Sequence, residues 1–238
     1  MPEMSVIPQI KRLGGITLDL LFPKSCVGCG REGSYICEAC RSTLTRMPSL
    51  ICPKCGRPQI NGIMCPDCIN WRSNIDGIRS PFRFKGTVRQ AVLQLKYKNI
   101  RALAPMLALL MYEYLVTRPI PAEVLVPVPL HPKRLRERGY NQSELLAKEL
   151  GKLMAMPIET KTLIRKKYSP PQARTTSVEQ RRRNMIDAFS CNGNRFQNCR
   201  ILLIDDVSTS ATTLDACAKS LKESGALSVW GLVLAREI

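Results

Sequence analysis

The sequence predicts an α/β protein, a parallel sheet flanked by helices, with a smaller cysteine-rich unit ahead of it. Two observations lead there. Eight of the eleven cysteines lie within the first 70 residues. The rest of the chain alternates short β-branched runs with amphipathic stretches and closes on "RILLIDDV", "ATTLDACAKSLKESGA" and "LSVWGLVLA", a strand, helix, strand order that produces parallel pairing with helices over the sheet. At 238 residues and 45% apolar composition, the length suits one such domain plus a small appendage.

The cysteine-rich unit comes first. Its cysteines form four C-x-x-C pairs, Cys26/Cys29, Cys37/Cys40, Cys52/Cys55 and Cys65/Cys68. A C-x-x-C turn aims two thiolates at one point, so two turns close a tetrahedral four-thiolate site, and eight ligands make two structural Zn2+ ions. Disulfides and iron–sulfur clusters are the competing uses of the same residues. Spacing alone leaves the pairing open. Consecutive pairing gives two ribbons and interleaved pairing a cross-brace; the loops of seven and nine residues inside each half suit short hairpins and favour the ribbons. Glycine follows the second cysteine in "CVGCG" and "CPKCG", where such a knuckle turns through positive φ. Cys191, Cys199 and Cys217 have no partner motif and read as ordinary thiols.

The larger unit follows, with the boundary expected near residue 75: 1–75 for the N-terminal segment and ribbons, 76–238 for the sheet. "WRSNIDGIRSPFRF" reads as a connector entering a strand that stops at Lys85–Gly86. "TVRQAVLQLKY" is an amphipathic helix with Lys96 near its C-terminal end, and a second helix is expected over 101–116. "EVLVPVPL" is a short strand stopped by prolines; "NQSELLAKELGKLM" is a helix capped by Asn141 or Ser143, with Gly151 near its stop. A short strand is expected over 158–164, then a basic segment rich in Pro, Gln and Arg over 165–184. The closing helix has Gly225 at its C-terminal end.

Charge bounds the function. Lys and Arg number 36 against 19 Asp and Glu, a formal net charge of +17, which points to a polyanionic partner. Residues 79–238 carry 27 of those basic residues and 13 of the acidic ones, so the basic character belongs to the larger unit. A single strand of nucleic acid held by its backbone would use it. Aromatic content is only 5%, which leaves Tyr140, Tyr168, Trp71 and Phe82 as stacking candidates. No apolar run reaches the roughly 18 residues of a spanning helix, and no secretory leader pattern is found; the expectation is a cytoplasmic protein without membrane insertion. His131 is the only histidine, which excludes His-rich metal sites as the engine.

"ILLIDDVSTSATTL", residues 201–214, carries the chemistry. It places two carboxylates, Asp205 and Asp206, at the carboxyl end of a strand, then a turn of small and hydroxylated residues opening a helix. Helix starts in α/β folds favour anions. Paired carboxylates can accept hydrogen bonds from vicinal sugar hydroxyls, so a ribose 5-phosphate fits both halves. The bland alternative is a turn started by Asp206 and ordinary helix-start hydroxyls.

This stretch resembles the phosphoribosyl pyrophosphate loop of type I phosphoribosyltransferases, and nearly the whole chain is similar to the ComF family, amidophosphoribosyltransferase-like proteins linked to competence for DNA uptake. "LDLLFPKSCVGCG" with the later C-x-x-C pairs resembles that family's N-terminal double zinc ribbon. "VPVPLHPKRLRERGYNQSELLA", "RKKYSPPQARTTSVEQRRRN" and "LKY" at 95–97 resemble its other marks. The resemblance implies a type I phosphoribosyltransferase-like fold, with Asp205 and Asp206 on the ribose hydroxyls and Ser208, Thr209, Ser210, Ala211, Thr212 and Thr213 around the 5′-phosphate. It implies a pyrophosphate loop at Leu130 and His131, Arg138 and Arg181 as clamps on diphosphate charge, and Mg2+ arriving with phosphoribosyl pyrophosphate. Implied partners are that ligand or a related sugar phosphate, single-stranded DNA and other DNA-uptake proteins. The alternative is a nucleic-acid-binding module with a vestigial or regulatory pocket. This loop departs from the family's D-D-V-x-T-T-G-x-T at Ser210 and Ala211: serine keeps the hydroxyl, whereas alanine adds a Cβ that costs on the order of 1 kcal/mol where φ is positive.

Overall fold

The computed structural model describes residues 24–71, 73–168, 185 and 187–238. Two small metal-binding knuckles precede a parallel sheet covered by helices. Each knuckle includes a short helix that carries its last cysteine, α1 (Glu38–Ser42) with Cys40 and α2 (Pro66–Ile69) with Cys68. The sheet order is β1 (Gly77–Arg79), β7 (Ser228–Arg236), β6 (Arg200–Ser208) and β3 (Val124–Pro127), every pairing parallel, with β2 (Phe82–Arg83) also on β7. β1 and β2 are thus two pieces of one edge, pairing with Trp230–Leu232 and then Ala235–Arg236. β6 lies between β3 and β7, and its run Ile201–Ile204 is fully buried, as a strand covered on both faces must be.

Helices cover both faces. On one side lie α3 (Gly86–Tyr97), α4 (Ala104–Thr117), which a 3-10 turn at Arg101–Leu103 leads into, and α6 (Gln142–Met154). Leu95, Leu107, Met111, Leu146 and Leu150 pack there against Leu202, Ile204, Leu232 and Leu234. On the other side α7 (Thr212–Glu223) sets Leu214, Cys217 and Leu221 against Ile201, Leu203, Val229 and Val233. Alternate residues of β6 and β7 thereby enter opposite cores. α5 (Pro132–Arg138) buries nothing.

Two expectations for this region change. The strand expected over 158–164 is divided: Ile158 bridges Leu125 in parallel, and β4 (Leu163–Arg165) pairs instead with β5 (Phe189–Cys191) in a separate antiparallel hairpin. The cause is Glu159, whose carboxylate accepts from the N–H of Lys161 at 2.8 Å and of Thr162 at 3.2 Å and turns the chain. The α6 cap resolves to Asn141, whose side chain accepts from Ser143 N at 3.0 Å and donates to Val128 O at 2.9 Å. α6 ends at Met154, near Gly151 as expected, with Ala155 as its left-handed cap. Gly225 does follow α7, at φ 92°.

The ribbons are welded to the sheet. After the first knuckle, Met47 N donates to Pro81 O at 2.8 Å and Arg83 N to Thr45 O at 2.9 Å, so this segment extends the sheet beside β2. Ile36 and Leu44 enter the helix-side core. From the second knuckle, Lys54 O accepts from Ile78 N at 2.8 Å.

Candidate functional site

The eight thiols gather into two groups, Cys26/Cys29/Cys37/Cys40 and Cys52/Cys55/Cys65/Cys68, within each of which the sulfurs lie within 4.8 Å of one another. The pairing is the consecutive, ribbon-type one. Both halves repeat the same local chemistry: Cys26 N donates to Arg31 O and Cys52 N to Arg57 O, while Gly30 N and Gly56 N return to the carbonyls of Cys26 and Cys52. Gly30 and Gly56 have φ of 78° and 73°, as the knuckle requires. Backbone N–H groups of Cys37 and Cys65 donate to the sulfurs of Cys26 and Cys52 at 3.3 and 3.4 Å, which favours thiolate over thiol. All eight are free of disulfides. Four convergent sulfurs with N–H···S support suit tetrahedral Zn2+ in structural sites.

The second centre is the carboxyl end of β6. Asp205 and the residues Val207 to Leu214 line one small cavity of about 40 Å³. Ser143, at the start of α6, donates its hydroxyl to Asp205 Oδ1 at 2.7 Å, and Asp206 N donates to the same oxygen at 2.9 Å. Burial, and next the Asp206 charge, push Asp205 up to about 7. Asp206 turns the other way, 2% exposed: its Oδ1 accepts from Val207 N at 2.7 Å and its Oδ2 pairs with Lys96 Nζ at 2.8 Å.

The loop then turns sharply. Ala211 is the left-handed residue ahead of α7, φ 64° and ψ 0°, and its carbonyl accepts from Asp215 N at 3.0 Å. Ser210 and Thr212 share a short hydroxyl bond. From beneath, Arg236 at the end of β7 reaches Ser208 Oγ at 3.4 Å and Thr209 O at 3.5 Å.

The other expected residues surround this end of the sheet without closing on the loop. Val128 N donates to Ile204 O at 3.0 Å, so the turn at Leu130 and His131 leaves the sheet beside Asp205. His131 Nδ1 accepts from Lys133 N at 3.2 Å and caps α5. Arg138 bonds Gln142 and lies 5.6 Å from the Tyr97 ring. It lines, with Lys96, Tyr97, Asn99, Arg134, Glu137 and Tyr140, a cleft of about 420 Å³. Arg181 lies outside the described residues. Of the stacking candidates, Phe82 and Tyr140 are buried; Tyr140 gives its hydroxyl to Leu95 O. Tyr168 stays at the surface beside His131 and Lys133, and Tyr97 is 66% exposed. Sequence reasoning missed the bond from Ser143 to Asp205, the exposure of Tyr97 and the burial of Arg236. Ser143 stood there only as a rival helix cap, and Tyr97 only as the last residue of "LKY".

A family model described as a double zinc ribbon domain matches residues 17–69. Competence protein ComFC of Bacillus subtilis is 32% identical over 209 residues, covering 84% of each chain. The chain belongs to the ComF family. Competence protein F of Haemophilus influenzae is 30% identical over 210 residues, 84% of this chain and 90% of that protein, and the DNA utilization protein YhgH of Escherichia coli is 27% identical over 209 residues, 85% and 91%. A purine phosphoribosyltransferase from Pyrococcus horikoshii aligns over 56% of this ComF chain and 72% of its own at 16% identity, with a TM-score of 0.36, too low to argue from. Among the described residues, no helix is long and apolar enough to cross a membrane.

Proposed function

We propose that this ComF protein binds phosphoribosyl pyrophosphate, or a related sugar phosphate, at the end of β6 and serves DNA uptake by handling incoming single-stranded DNA. The observation that carries the reading is the cavity shared by Asp205 and the loop 207–214. It sets a carboxylate, an array of hydroxyls and a helix start against one small volume, at the carboxyl edge of a parallel sheet where such folds bind ligands. In this reading Asp205, held by Ser143, accepts from ribose hydroxyls, and Asp206 orients Lys96 and the loop backbone. Ser208 to Thr213 surround the 5′-phosphate, with Leu130, His131, Arg138 and Arg181 toward the diphosphate. Mg2+ is a hard ion that takes carboxylate and phosphate oxygens with water; Asp205 is the carboxylate that lines the cavity, and the metal would neutralise diphosphate charge. The division of labour follows: residues 1–75 the metal-stabilised ribbons, 76–238 the ligand-binding unit.

The relatives' names, competence and DNA utilization proteins, support the cellular half. So does the cleft in which the exposed Tyr97 ring lies among Lys96, Arg134 and Arg138, with Glu137 its one carboxylate, because cations beside an exposed ring grip single strands. If the pocket is regulatory, this cleft is the working surface and the protein is a nucleic-acid-binding module.

The test is thermal. A ligand that binds the folded state raises the unfolding midpoint by mass action. Phosphoribosyl pyrophosphate with Mg2+ is expected to raise it in the wild type and not in Asp205→Asn/Asp206→Asn. No shift in either protein at millimolar ligand would reject the sugar-phosphate reading, and retained single-stranded DNA binding would then leave the module.

A further inference from the structure

Val128 leads into the turn at Leu130 and His131, and its backbone is held on both sides. Its N–H donates to Ile204 O at 3.0 Å, one residue before Asp205, and its carbonyl accepts from Asn141 Nδ2 at 2.9 Å. Asn141 Oδ1 accepts from Ser143 N at 3.0 Å, and the Ser143 hydroxyl donates to Asp205 Oδ1 at 2.7 Å. A continuous run of hydrogen bonds, passing through the first turn of α6, therefore joins the turn on the diphosphate side to the carboxylate on the ribose side.

Asn141, Gln142 and Ser143 are three consecutive buried polar residues, 7%, 5% and 1% exposed. Buried polar groups are costly unless bonded, and each of these bonds a different part of the surroundings: Asn141 the turn, Gln142 the Arg138 guanidinium, Ser143 the Asp205 carboxylate. The base beneath them is rigid, because Leu146, Ala147 and Leu150 of α6 are fully buried in the helix-side core. Capping alone does not call for asparagine. Serine, aspartate and asparagine cap about equally well, but of these only the amide carries a donor and an acceptor on separate atoms. Asn141 uses both, the nitrogen on a carbonyl and the oxygen on an N–H.

We infer that Asn141 is a positioning residue that fixes the turn at Leu130 and His131 relative to Asp205. Its amide ties the turn to α6, Ser143 ties Asp205 to the same helix start, and the two sides of the site keep one spacing. For its ligand arm this rests on the sugar-phosphate reading; the tie itself does not.

The experiment compares two ligands, each with Mg2+, on variants that keep a helix cap: phosphoribosyl pyrophosphate, which carries the diphosphate, and ribose 5-phosphate, which lacks it. Asn141→Ser retains a capping hydroxyl and removes the amide that reaches Val128. Its affinity for phosphoribosyl pyrophosphate is expected to fall about tenfold, the scale of one buried hydrogen bond left unmade, while its affinity for ribose 5-phosphate stays at the wild-type value. Ser143→Ala, which frees Asp205, is expected to weaken both ligands alike. In the ligand-free protein, Asn141→Ser should speed amide exchange of Val128 about tenfold and leave unchanged that of Leu145, whose N–H donates to Asn141 O at 3.1 Å in the first turn of α6. A residue that only caps the helix would move Leu145 and spare Val128. Wild-type affinity for phosphoribosyl pyrophosphate in Asn141→Ser, equal losses for the two ligands, or unchanged exchange at Val128 overturns the inference. If Asn141→Ser fails to fold by far-UV circular dichroism, Asn141→Thr, which also caps without the amide, is read in the same way. No binding of either ligand by the wild type rejects the sugar-phosphate reading and leaves exchange at Val128 to decide the tie.

Discussion

At the residue scale, the two aspartates have different work. Asp205 faces the cavity and is pushed up to about 7 by burial and by Asp206, so near neutrality it is divided between acid and carboxylate. A carboxylate accepts from sugar hydroxyls better than an acid does, and affinity for the sugar phosphate should rise between about pH 6 and pH 8. Titrating Asp205→Asn beside the wild type isolates this contribution, because the asparagine variant lacks the ionisation; equal slopes would contradict it. The linkage to folding has the opposite sense. A carboxyl raised in the native state lends stability that is fully present below its unfolded pKa and is lost as pH rises through about 7. Ala211 invites a second substitution. Its φ of 64° strains an L-residue, so Ala211→Gly should stabilise the protein by about 1 kcal/mol, seen as a rise of about 2–4 °C in the unfolding midpoint. An unchanged or lower midpoint would mean that the methyl packing in the core outweighs the strain.

At the element scale, α7 is stitched to the connector that leaves the second ribbon. Asp215, in its first turn, accepts from Asn74 N at 2.6 Å and Ile75 N at 3.2 Å, and Lys222 near its end pairs with Asp76 at 2.7 Å. Asp215→Ala leaves two backbone donors without that partner and should cost about 1–3 kcal/mol in denaturant unfolding; a loss below about 0.5 kcal/mol, typical of a surface change, would show that the stitch is idle. These cross-links explain what the sequence could and could not convey. The strand–loop–helix of residues 201–214 and the C-x-x-C pairs were legible because local spacing dictates them. The Ser143 to Asp205 bond spans 62 positions, and no local pattern announces it. The 158–164 region misled for a related reason: its β-branched residues read as one strand, while a single carboxylate, Glu159, divides it. Phe82 and Tyr140 looked available as stacking rings because a lone aromatic does not advertise the face it buries.

At the scale of the whole molecule, the ribbons and the sheet share hydrogen bonds and core. Ile36 and Leu44 pack with Phe82 and Leu110, and Arg41 of α1 pairs with Glu113 of α4. Metal release should therefore lower the stability of the sheet as well as that of the knuckles: chelation is expected to reduce the unfolding midpoint of the protein as one transition, and an unchanged sheet transition would contradict the welded arrangement. Denatured protein should release about two equivalents of zinc, one for each four-thiolate site. The net charge is +17, and reversal of Lys133 and Arg134 should weaken single-stranded DNA binding and flatten its salt dependence. The account turns most on whether the end of β6 is a working sugar-phosphate pocket. Calorimetric titration of phosphoribosyl pyrophosphate with Mg2+ into the wild type and into Asp205→Asn/Asp206→Asn tests that directly: saturable binding to the wild type, lost in the variant, is the predicted result, and equal heats in the two proteins would contradict it.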